Sequence, residues 1–113
     1  MVIVDTELQK RESAGKPLRV GLIGAGVMGR MIARQFLTPL TGMRLVAIAN
    51  RTGSRADQAY RDEGVKDIVS VDSVAKLEQA IDRNTYAITE DPQLLCEAGN
   101  IDIIEYNNKL SIK

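Results

Sequence analysis

Apolar and polar positions come in blocks along this chain, and the blocks switch between the two-residue period of strands and the longer period of helices. Leu18-Arg19-Val20-Gly21-Leu22-Ile23 is a short, mostly apolar run that reads as a strand. Beyond it Met28, Met31, Ile32 and Phe36 repeat on one helical face, with Arg30 and Arg34 on the other and Pro39 past the end. Arg44-Leu45-Val46-Ala47-Ile48-Ala49 is nearly continuous in its apolar character, as expected of a parallel strand covered on both faces. Ser54 is a cap for a helix reaching about Glu63, with Gly64 at its C-terminal turn. The apolar face of that helix (Ala56, Ala59, Tyr60) is thin enough to place it on the surface.

The second half continues the alternation. Asp67–Val71 is β-branched but brief. Asp72 or Ser73 then caps a helix carrying Val74, Leu77 and Ile81 at helical spacing. Thr85–Thr89 reads as a strand. Asp91 caps the next helix, with Pro92 at its first position, Leu94, Leu95 and Ala98 inward, and Gly99 after its end. Cys96, within that helix, is expected to be a small, at least half-buried apolar residue. Ile101–Tyr106 is the last predicted strand. Residues 1–17 form a polar lead-in, with Thr6 capping a short helix to about Ala14, and residues 107–113 read as an irregular tail without periodicity.

Composition narrows the class. A length of 113 residues fits one domain, 1–113. The apolar fraction of 44% and charged fraction of 27% are those of a soluble globular protein. Basic and acidic residues number 15 each and form no basic stripe, so a nucleic-acid partner is not expected. With no histidine and the single Cys96, neither a metal site nor a disulfide is expected, and with no catalytic base beside it that thiol is not expected to act as a nucleophile. No run reaches the length of a membrane span and Met1–Asp5 lacks the features of a signal peptide, which makes the cytoplasm the expected location.

Candidate chemistry enters at the junction of the first strand and first helix. Gly24-Ala25-Gly26-Val27-Met28-Gly29 has the spacing G-x-G-x-x-G, in the strand–turn–helix context that binds a dinucleotide pyrophosphate. Gly24 allows the sharp turn, Gly26 leaves no side chain between backbone and phosphate, and Gly29 allows close helix–sheet packing. The N–H groups and positive dipole end of the new helix then meet the negative charge. The second informative position lies roughly 20 residues further on, at the end of the second strand, where an acid ordinarily grips the adenosine ribose 2′-hydroxyl. Asn50 stands there instead, followed by Arg51 and Thr52. A carboxylate would repel a 2′-phosphate, whereas an amide and a guanidinium accept one, so NADP is favoured over NAD. Arg55 is a further basic residue nearby, read as solvated surface.

Strands alternating with helices imply right-handed βαβ units around a parallel sheet. The expected fold is α/β, a truncated Rossmann-type sheet of about four strands starting near residues 19, 44, 85 and 101. Their spatial order would be 3-2-1-4, with helices on both faces. Gly24–Gly29 and Asn50–Thr52 then both fall at the carboxyl ends of strands, where such a sheet binds its ligand.

Together VGLIGAGVMGRMIARQF, VAIANRT and YAITEDPQLLCEAGNIDIIE resemble the N-terminal domain of homoserine dehydrogenase-like NAD(P)-dependent oxidoreductases, especially the larger ones that carry a SAF domain. The likeness covers roughly residues 1 to 105. It implies that Gly24, Gly26 and Gly29 hold the pyrophosphate and that Asn50, Arg51 and Thr52 hold the adenosine end. The departure is at the C-terminus: where these proteins typically read Glu-Ala-Thr-Gly beside the nicotinamide ribose, Glu105 is followed by Tyr106-Asn107-Asn108-Lys109. No residue of this chain is expected to be catalytic; Lys109 is read as an exposed tail lysine. The expectation is therefore a cofactor-binding domain without its substrate half, from a truncated or frameshifted reading of a longer protein or an excised domain. Ile101–Tyr106 would then be an exposed sheet edge open to homo-oligomerisation. Two other functions fit the motifs: a non-catalytic nucleotide-binding sensor or regulatory module, and a glycine-turn domain that binds another ligand such as coenzyme A or is purely structural.

Overall fold

The computed structural model describes residues 17–24, 42–106 and 109–113. The helix expected over Met28–Phe36 and the short helix expected over Thr6–Ala14 lie outside the described residues.

Apolar runs become strands where the reading places them. β1 (Leu18–Ile23) and β2 (Met43–Ala49) pair in parallel, and β4 (Tyr86–Thr89) and β5 (Ile103–Tyr106) flank them. These four lie in the spatial order β4-β2-β1-β5, which is the expected 3-2-1-4. Two strands extend the sheet. β3 (Ile68–Ser70), from the brief β-branched segment, adds in parallel outside β4, and β6 (Lys109–Ile112) adds antiparallel outside β5. The complete order is β3-β4-β2-β1-β5-β6.

β6 corrects the expectation of an irregular tail over 107–113. Lys109, Leu110, Ser111 and Ile112 alternate polar and apolar over too few residues to stand out in the sequence. Backbone pairing with β5 supplies what periodicity does not, through Glu105↔Leu110 and Tyr106↔Lys109. The same pairing means that β5 is not the edge of the sheet.

The three described helices cover both faces. α1 (Gly53–Arg61) buries Ala56, Ala59 and Tyr60, the thin face expected of it, against Val20, Leu22, Leu45 and Ile48. It starts one residue before Ser54, with Thr52 in the cap position. The Tyr60 hydroxyl donates to the Leu45 carbonyl at 3.1 Å, and its ring lies 5.1 Å from that of Tyr86. α2 (Val74–Asp82) and α3 (Pro92–Glu97) pack on the opposite face, where Leu77, Ile81, Leu94 and Leu95 meet Val46, Ala49, Ala87 and Ile104. The Ser73 hydroxyl accepts from Lys76 N and the Asp91 carboxylate from Gln93 N, so both helices begin on side-chain caps. Cys96 is exposed, contrary to expectation: on so short a helix Leu94, Leu95 and Ala98 define the inner face and Cys96 points away from it.

Register irregularity explains the continuous apolar run in β2. Val20 pairs with Leu45 but Gly21 with Ala47, leaving Val46 as an extra residue. Leu45 and Ile48 then face α1, while Val46, Ala47 and Ala49 face α2 and α3. Both faces are buried.

Candidate functional site

The carboxyl ends of β4, β2 and β1 are tied to one another by backbone hydrogen bonds, and the loops that leave them form one rim. After β1 the chain enters Gly24 at φ +99°, a left-handed conformation that a side chain would strain. Its N–H donates to the Ala49 carbonyl at 2.7 Å, fastening this turn to the end of β2. A Cβ on Gly24 would meet nothing within 4 Å, so it is the dihedral and not lack of space that calls for glycine.

β2 hands over to Asn50 in the same manner. Asn50 N donates to the Thr89 carbonyl at 3.0 Å at the end of β4, and its side-chain amide donates to the Thr52 carbonyl at 2.9 Å, closing the turn around Arg51. Arg51 and Thr52 are exposed on this rim. Thr52 is extended and its hydroxyl makes no cap bond, so the first N–H of α1 is met from elsewhere. Gly53 N donates to Glu90 Oε2 at 3.2 Å, from the loop after β4. Thr89 is buried and its hydroxyl accepts from Asp91 N at 3.2 Å, holding that loop against the sheet.

Gly24, Asn50, Arg51 and Thr52 are thus brought to the carboxyl ends of two adjacent parallel strands. Ala25, Gly26, Val27, Met28 and Gly29 lie outside the described residues, and with them the rest of the expected pyrophosphate turn. Such a rim offers an anionic ligand a glycine turn and the exposed Arg51 beside it, while the first N–H of α1 is already engaged by the Glu90 carboxylate. Among the described residues, no three His, Cys, Asp or Glu side chains converge as a metal site would require, and no helix is long and apolar enough to cross a membrane.

Two residues of the rim escaped the sequence reading. Glu90 reaches Gly53 across 37 positions, a contact with no local signal. Glu105, at the end of β5, is only 5% exposed, and burial pushes its carboxyl pKa up. Within the residues themselves the hint is an acid inside the apolar run Ile103-Ile104-Glu105-Tyr106.

Comparison with known proteins agrees with this architecture. Residues 7–109 match the model of a family described as shikimate/quinate 5-dehydrogenase. Comparison with curated proteins found no match. Among solved structures, the fold resembles scyllo-inositol dehydrogenase from Lactobacillus casei with bound NAD(H) and scyllo-inositol, at 18% identity and a TM-score of 0.55. That match covers 80% of this chain and 21% of the other. The apo form of the same enzyme aligns at 18% identity and a TM-score of 0.40, over 77% of this chain and 35% of that one. The chain therefore spans about a fifth of the length of that NAD(H)-bound dehydrogenase.

Proposed function

The chain belongs to the shikimate/quinate 5-dehydrogenase family, and on that premise we propose that it is the NAD(P)-binding domain of an oxidoreductase. The observation that carries this reading is the junction of Gly24 with Asn50–Thr52, at the tips of β1 and β2, within a sheet of Rossmann order. Gly24, with Ala25, Gly26, Val27, Met28 and Gly29, would hold the pyrophosphate. Asn50, Arg51 and Thr52 would hold the adenosine end, with Arg55 one turn into α1. The bound nicotinamide would supply the hydride chemistry; the residues named here bind and orient it.

NADP is the favoured cofactor. An amide at Asn50 places no fixed charge against a 2′-phosphate, and the exposed Arg51 is free to close charge-assisted hydrogen bonds with it. The family and the homoserine dehydrogenase-like resemblance share the cofactor domain and differ in the substrate, a small metabolite in either case. Calorimetric titration of the chain with NADP and NAD, side by side, tests the reading. NADP should bind more tightly, and Arg51→Ala should weaken NADP by about 1.5–3 kcal/mol, roughly ten- to a hundredfold, with a much smaller effect on NAD. Equal losses for both dinucleotides would remove the NADP assignment; no binding of either would remove the cofactor reading.

A further inference from the structure

β6 ends the sheet, and its outer side has no strand beside it among the described residues. The phase of its ladder fixes which backbone groups that side presents. Lys113 N donates to the Asp102 carbonyl at 2.9 Å, which makes residues 102 and 113 a hydrogen-bonded pair. Such pairs alternate in an antiparallel ladder, so Ser111 and Lys109 also turn their N–H and C=O inward, to Ile104 and Tyr106. Leu110 and Ile112 turn theirs outward. Their side chains share one face of the sheet, Leu110 55% and Ile112 87% exposed.

Sheet edges are ordinarily guarded by a proline, a bulge or lysine side chains. β6 contains no proline, and its register with β5 runs without a shift. Lys113, at its end, is turned back into the fold, its ammonium donating to the Leu95 and Ala98 carbonyls where α3 finishes. Of the two lysines that bracket Leu110 and Ile112, Lys109 is left exposed on the strand.

We propose that β6 is the interface of a homodimer, pairing antiparallel with β6 of a second copy of this chain about a two-fold axis at Ser111. This register sets Leu110 opposite the partner's Ile112 and Ile112 opposite the partner's Leu110. Both become hydrogen-bonded pairs, so every outward N–H and C=O of these residues finds a partner. The apolar side chains meet across the joint on one face, the self-complementary arrangement that an isologous contact needs. Lys109 comes opposite the partner's Lys113, a repulsive match if both ammoniums stayed at the edge. With Lys113 drawn onto α3, Lys109 instead reaches toward the partner's Glu97, an exposed acid lining the same cavity as Lys113. The joint is small, so the dimer is weak and reversible. It is independent of the cofactor reading, because β6 lies outside the rim formed by β4, β2 and β1.

The test is sedimentation of the chain from about 10 µM to about 1 mM, with hydrogen exchange at both ends of that range. The mass should rise reversibly to that of two copies and stop there, as a closed two-fold contact requires. At the high concentration the Leu110 and Ile112 amides should exchange at least about tenfold more slowly than when dilute, while those of β3, at the opposite edge, stay unchanged. Ile112→Pro removes an outward N–H and no bond to β5, and Ile112→Lys puts a charge on the meeting face. Each should weaken the dimer at least about tenfold. Val69→Lys, on β3, should not affect it. A single-copy mass throughout, a mass that climbs past two copies, or a dimer indifferent to both Ile112 substitutions would overturn the proposal. Unchanged exchange at Leu110 and Ile112 in a sample that does dimerise would overturn it without any variant.

Discussion

Gly21 shows how one residue sets the spacing of a layer. It sits mid-strand in β1, where a glycine ordinarily weakens a strand. Here a Cβ would come within 3.0 Å of Leu95 Cδ2 and 3.2 Å of Ile104 Cδ1, so the missing side chain lets α3 seat against the sheet. Leu95 is fully buried and has little room to give. Gly21→Ala should destabilise the fold by about 1–3 kcal/mol, the range for overpacking a core, measured by urea unfolding. A stability at or above that of the unaltered chain would mean that α3 shifts without cost. Gly24 differs in kind: open space surrounds it, and only its φ of +99° restricts the residue. Two glycines three positions apart are thus needed for opposite reasons. Only the second was legible in the sequence, because its role belongs to a turn signature while that of Gly21 depends on a helix more than 70 positions away.

At the scale of elements, legibility followed locality. Asp91-Pro92 and Ser73 announce helix starts through side chains that act within three residues, and both caps form. The strands at β1, β2, β4 and β5 carry enough apolar length to be read directly. β6 does not, since its four residues are all exposed and its stability comes from hydrogen bonds to β5 alone on the described structure. Composition favours burial of Cys96, whereas a six-residue helix exposes whatever lies opposite Leu94 and Leu95. β6 should accordingly open well below the global unfolding free energy. Native-state hydrogen exchange should show the β6 amides exchanging at least about tenfold faster than those of β1 and β2, where both faces are packed. Equal protection would mean that β6 unfolds only with the core. Ile112 is 87% exposed and Leu110 55%, so this outer strand, and no longer β5, is the edge at which homo-oligomerisation through strand pairing is to be sought.

For the molecule as a whole, the buried carboxyl of Glu105 should be a stability liability with a defined pH dependence. Glu105 has a folded-state pKa above its unfolded value, with burial as the cause. Between those two values the folded chain binds more protons than the unfolded one, so stability falls as pH rises through the interval and stays lower above it. Each pH unit between the two values contributes about 1.4 kcal/mol. The other displaced groups act outside this window or against it. Asp72, whose pKa is lowered chiefly by its hydrogen bond from Lys76, stabilises the fold above the usual carboxylate range and stops doing so in acid. Tyr60, raised well above its ordinary value by burial, subtracts stability only in strong alkali. Lys113, lowered by burial, acts in the opposite direction to Glu105, adding stability as pH rises. Removing Glu105 therefore isolates one window. Glu105→Gln should narrow the loss of stability between about pH 5 and about pH 8, so that the variant gains on the unaltered chain as pH rises, read from urea unfolding at the two ends. A variant whose advantage is the same at both ends would place the strain of this position in its shape and not in its charge.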